Sequence, residues 1–396
     1  MKYDFDRIID RNSCGACKYM EAPAGALPMT IADMDFASPP EVIEALQKRA
    51  ASSNFGYTVM EEEDYQAVID FVRYRHGLEI PREQLLATPG VLYTMRCAMY
   101  MLTEPGDKVV VIAPLHTPSI ATASMQGRIP VINWMRRTAD GNYTFDLEDL
   151  EKHFRSGAKV LMMCAPHNPT GRVWTLEELT QVADLAKKYD IPIISDEIHR
   201  DLVYKNHRHI PIGSLPDMAE RTITVFSPSK TFNFGGMHIG SAVSGNLEYL
   251  QMLRKKLYEF GHACGRPPLF SIAAQTAAYQ HGRLWLEELT AYLEDNADMM
   301  LHYLEGLDVR ACRPEGSFLL WVDCSKLKLD TAGLYALLLE AGITADPGHY
   351  YDMAEIDKYS GSQHHFRLAF GMPRQRLEPA MANLRKVIKK AQSVQA

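Results

Sequence analysis

Four short runs in the first two thirds of the chain are apolar with little alternation: 108–114 (KVVVIAP), 159–166 (KVLMMCAP), 191–198 (IPIISDEI) and 222–226 (TITVF). A strand with one wet face alternates polar and apolar side chains. Near-continuous apolar runs rich in β-branched residues therefore predict strands buried on both faces, as in a parallel sheet. Between the second and third runs, 175–189 (TLEELTQVADLAKKY) has helical spacing. Its Thr175 followed by Glu178 is the sequence form of a capping box. Strand–helix–strand alternation predicts an α/β unit that binds ligands beyond the carboxyl ends of its strands.

The pattern changes near residue 283. Leu286, Leu289, Leu293, Ala297, Met300 and Leu304 recur at spacings of three and four, which predicts a long amphipathic helix. An apolar segment at 317–322 and helical patterns over 331–341 and 375–390 follow. We expect a large α/β/α domain with a mainly parallel sheet over 46–285. A smaller α+β domain would combine 1–45 with 286–396, and the long helix would bridge the two.

Composition narrows the function classes. The chain has 396 residues, of which 46% are hydrophobic, enough for a large core. The net charge is -7 and no basic stripe is present, so neither nucleic acid nor an anionic membrane surface is an expected partner. No apolar run approaches the roughly 20 residues of a bilayer span. The opening MKYDFDRIIDR lacks the apolar stretch of a signal peptide. Seven scattered cysteines do not suggest a disulfide framework, so a reducing cytoplasm is the expected compartment. Cys14 and Cys17 form a lone CxxC in an N-terminal arm; we expect two buried or partly buried thiols there, and no metal site.

The informative chemistry follows the expected strands. Lys230, in Ser227-Pro-Ser229-Lys230-Thr, stands at a strand end between hydroxyls. A lysine desolvated there has a lowered pKa and can form a Schiff base, while Ser227 and Ser229 can donate to a phosphate. Asp196 ends another buried strand, where a carboxylate is costly unless it meets a cation or caps a helix. Asn168, in HNPTG, lies in a turn with an amide to offer. Gly90 precedes a helical stretch at 93–102, and a glycine turn feeding a helix N-terminus is an anion site. Each signal is weak alone; the ordered set is specific.

That set, with Arg367 in FRLAF, resembles the class I/II aminotransferase family of pyridoxal 5'-phosphate (PLP) enzymes, the fold type I or aspartate aminotransferase-like architecture. The segments IADMDF (31–36), FGYT (55–58), HNPTGRVW (167–174), DEIHRDLVY (196–204) and SPSKTFN (227–233) look like its MalY/PatB branch, the cystathionine β-lyase-like C–S lyases. The resemblance implies PLP as cofactor. Lys230 would be the Schiff-base lysine and proton shuttle, and Asp196 the partner of the pyridine nitrogen. Asn168 and His199 would sit beside the phenolic oxygen. Gly90, Val91, Leu92 and Ser227 would hold the phosphate, and Arg367 the substrate carboxylate. Tyr57 would reach the neighbouring subunit's phosphate, which implies a homodimer with shared active sites.

Three positions depart from the branch. His116 replaces the tyrosine that stacks on the cofactor ring, Thr30 stands where a tryptophan is usual, and His238 replaces a phosphate-binding arginine. We expect His116 to stack, and Thr30 to enlarge or rewet the substrate side. The resemblance favours a lyase that splits cystathionine or a related cysteine S-conjugate into thiol, pyruvate and ammonia. Amino transfer on an L-amino acid is the second reading, and a PLP-binding regulatory protein the third.

Overall fold

The computed structural model describes residues 2–125, 127–139, 141–261, 265–351 and 362–395. Strands β1 (Leu85–Thr88), β2 (Lys108–Ala113), β3 (Ile129–Trp134), β4 (Val160–Cys164), β5 (Ile193–Asp196), β6 (Thr222–Phe226) and β7 (Gly240–Val243) build one seven-stranded sheet. Its order is β1-β7-β6-β5-β4-β2-β3. Only β7 runs against its neighbours, so β1 to β6 all point the same way. The four apolar runs are β2, β4, β5 and β6. The sequence pattern did not isolate β1, β3 and β7, which are short or broken by Pro130, Gly240 and small polar residues.

Burial on both faces explains the lack of alternation. Val109, Val111, Val160 and Met162 face helices Val91–Leu102 and Leu247–Phe260. Val110, Ile112, Leu161 and Met163 face helices Leu147–Arg155 and Leu176–Lys188. The second of these starts as expected. The Thr175 side chain accepts from the Glu178 N–H, and the Glu178 side chain accepts from the Thr175 N–H.

A second sheet contains β8 (Arg310–Ala311), β9 (Leu319–Asp323), β10 (Asp346–Pro347) and β11 (His365–Ala369), all antiparallel in the order β8-β9-β11-β10. Helix Arg283–Leu304 covers the 286–304 pattern and shares one apolar core with this sheet and with helix Arg374–Gln395. The expected boundaries at 45/46 and 285/286 fall inside helices Pro40–Ala51 and Arg283–Leu304.

The N-terminal arm bonds to the second sheet, where the Met29 carbonyl accepts from the Ala369 N–H of β11 at 2.8 Å, and to the segment after β6. Leu27–Pro28 pairs in parallel with Ile343–Thr344, on the second-sheet side. On the other side the Asn233 amide donates to the Met34 and Phe36 carbonyls at 3.2 and 2.6 Å. The expectation for Cys14 and Cys17 is corrected here: both thiols are exposed. The single turn Cys17–Met20 buries Lys18 instead, against Asp35 at 2.9 Å. Among the described residues no group of three or more His, Cys, Asp or Glu could hold a metal. No described helix is long and apolar enough to cross a membrane.

Candidate active site

The carboxyl ends of five strands meet at one cavity of about 590 Å³. Strand β1 leads into Gly90, the N-cap of helix Val91–Leu102. After β2 comes His116, and after β4 comes Asn168. Asp196 is the last residue of β5, and β6 runs into Ser227, Ser229 and Lys230. These residues line the cavity together with Val91, Leu92, His199 and, from β11 of the other sheet, Arg367. Of the expected site residues, Tyr57 alone lies elsewhere. It is 96% exposed, on a segment without regular structure.

Lys230 sits in the turn Pro228–Thr231, which Ser227 caps by accepting from the Ser229 N–H at 3.1 Å. The Ser227 hydroxyl donates to the Ile239 carbonyl at 2.7 Å. The Lys230 ammonium donates to the Ala32 carbonyl of the arm. Burial, with Arg367 acting in the same direction, lowers the Lys230 pKa to about 8 against the pull of Asp33 and Asp196. Asp196 is pushed up to about 6 by burial, which outweighs the Ile198 N–H donated to its Oδ1 at 3.1 Å. A buried carboxylate in this state is stabilised by an incoming cation.

Two imidazoles share the wall. Burial, aided by Lys230, holds His199 well below the ordinary histidine value, and its Nδ1 lies 3.1 Å from the Ser317 hydroxyl. Burial, with Arg367 and Lys230, takes His116 down to about 3. Both rings are therefore neutral near pH 7. Arg367 is almost fully buried. Its Nη1 donates to Asn168 Oδ1 at 3.0 Å, and its Nη2 to the Thr30 carbonyl and to Asp346 Oδ2, each at 2.5 Å. Its Nε has no hydrogen-bond partner among the described residues.

The departures resolve differently. His116 and His238 both line the cavity. Thr30 contributes its carbonyl to Arg367, and the wall beside it is made by Ile31 and Ala32. The sequence reading missed Asp346 and Tyr351, which also line the cavity. Asp346 begins a two-residue strand with no pattern of its own and Tyr351 ends the turn after it; only the pairing of β10 with β11 brings Asp346 opposite Arg367.

The residues present fit PLP. Lys230 offers an amine that is neutral in part near pH 8, and Asp196 a carboxylate for the protonated pyridine nitrogen. Gly90 has φ +129°, and an added Cβ there would meet nothing within 4 Å. That open space at a helix N-terminus suits a phosphate. With its Oδ1 held by Arg367, Asn168 has its amide N–H to give.

Residues 25–384 match the family model of aminotransferase class I and II. The chain is 35% identical to cystathionine beta-lyase PatB of Bacillus subtilis (strain 168) over 336 residues, which cover 82% of this chain and 85% of PatB. It is 30% identical to protein MalY of Escherichia coli (strain K12), covering 96% and 98% of the two chains. Among solved structures it is similar to the PLP-containing cystalysin of Treponema denticola, with a TM-score of 0.92, 29% identity, and 98% and 100% of the chains covered. This chain belongs to the class I and II aminotransferase family, and its cofactor is PLP.

Proposed function

We propose that the chain is a C–S β-lyase that cleaves cystathionine or a related cysteine S-conjugate. The observation that carries this reading is the placing of a lysine of lowered pKa and a buried arginine on one cavity, each bonded to the same arm segment, at Ala32 and Thr30. The relatives named cystathionine beta-lyase support the reaction type. PLP, when bound, supplies the electron-poor ring that takes up the electron pair left at the substrate's Cα.

The chain's residues do the rest. Lys230, Asn168, His199 and the Gly90–Leu92 turn would hold the cofactor, Asp196 would keep its ring nitrogen charged, and His116 would stack on the ring. Arg367 would hold the substrate carboxylate, which would fix the Cα–H toward Lys230. Lys230, freed when the substrate's amino group takes its place, would then take that proton. The Cβ–S bond breaks, the thiolate leaves with a proton returned from Lys230, and water converts the remaining fragment to pyruvate and ammonia. For cystathionine the balance is one water consumed and one homocysteine, one pyruvate and one ammonia released.

The same reading makes the protein a homodimer, with Tyr57 of each chain serving the other's phosphate. It divides each chain into a cofactor-carrying part, 46–285, and a smaller part, 1–45 with 286–396. Free thiols fit a cytoplasmic setting. The test is incubation with L-cystathionine and no keto acid. Equimolar thiol and pyruvate, formed over many turnovers, are expected. Turnover only after a keto acid is added would transfer the reading to amino transfer.

A further inference from the structure

Once the cofactor has claimed Lys230 and Asp196, the charged side chains left on the cavity are Arg96, on helix Val91–Leu102, and the bonded pair Arg367 and Asp346. Both line the cavity, and they stand opposite each other in the register of β10 and β11. Asp346 Oδ2 accepts from Arg367 Nη2 at 2.5 Å and from the Tyr351 hydroxyl at 2.8 Å. The Arg367 guanidinium lies over the Tyr351 ring, 5.1 Å from its centroid. Asp346 Oδ1 takes no hydrogen bond among the described residues, and the side chain keeps 20% of its surface exposed.

This arrangement alters what the arginine offers. A substrate carboxylate docking on Arg367 meets a guanidinium that already holds one carboxylate, so two carboxylates would share that guanidinium. Like charges at such a distance are costly in a partly dry pocket. A second cation brought by the substrate relieves the excess, and Asp346 Oδ1 is the acceptor it would meet.

We propose that Asp346 is a specificity-determining residue that favours cysteine S-conjugates whose leaving group carries a cationic group, and disfavours those whose leaving group is anionic. The inference rests on the C–S lyase reading. A substrate held by its carboxylate on Arg367 has Asp346 as the adjoining wall, with the half-exposed ring of Tyr350 at the edge of the same cavity.

Three probes of similar size test it: S-(2-aminoethyl)-L-cysteine, S-ethyl-L-cysteine and S-(2-carboxyethyl)-L-cysteine. On the holoenzyme, kcat/KM for thiol release is expected to favour the aminoethyl over the carboxyethyl compound by at least about tenfold. In Asp346→Asn the ratio should fall to within about threefold, with the ethyl compound least affected. Cofactor absorbance reports binding of the same three amino acids without requiring elimination, and the same order is expected there. If none of the three releases thiol while the binding order holds, the lyase reading fails and the specificity assignment stands. A wild-type preference that is absent, reversed, or unchanged in Asp346→Asn while that variant retains PLP would overturn it.

Discussion

At the scale of single residues, the site depends on desolvation set against charge. Lys230 is the clearest case, because burial brings its pKa from the ordinary lysine value of 10.5 to about 8. Only the neutral amine is a nucleophile, so capture of PLP by the apoprotein should rise with pH and reach half its limit near 8. Stopped-flow absorbance across pH from about 6.5 to about 11.5 checks this; a half-point near 10.5 would mean that the amine is not desolvated. Lys230 was legible in the sequence because it follows a strand pattern between hydroxyls and stands in one ordered set with Gly90, Asn168 and Asp196. Asp346 was not, since its importance comes from a cross-strand neighbour 21 residues away.

At the scale of elements, the loops beyond the strands need fastening, and Arg172 supplies it for the Asn168 turn. Its Nη1 reaches Glu315 at 2.6 Å, its Nη2 reaches Glu178 at 2.7 Å, and its Nε donates to the Tyr143 carbonyl at 2.9 Å. Gly171 beside it has φ +72°, and a Cβ there would come within 2.6 Å of Pro314. Arg172→Met removes the cation between two largely buried carboxylates and should cost about 3 kcal/mol, read by urea unfolding of the holoenzyme. A loss under about 0.5 kcal/mol would show that the Arg172 ion pairs do not fasten the turn. Buried strands and the capped helix could be read from local pattern alone. Strands β1, β3 and β7 could not, because their place in the sheet is set by partners distant in the chain.

At the scale of the whole molecule, Phe55, Tyr57 and Val59 leave a row of exposed large side chains on one irregular segment, 58%, 96% and 52% exposed. The proposed homodimer would cover them with a second copy, with Tyr57 serving the partner's phosphate. Tyr57→Phe and Lys230→Ala, each impaired alone, should regain part of the activity when mixed under subunit exchange, and sedimentation should give about twice 44.7 kDa. An active monomer would refute the shared site. The central claim is that five strand ends converge so that Lys230 anchors the cofactor. Borohydride reduction of the holoenzyme, followed by peptide mapping, tests it most directly. The account predicts one stable PLP adduct per chain, on Lys230 and absent from Lys230→Ala; an adduct carried by any other lysine would contradict it.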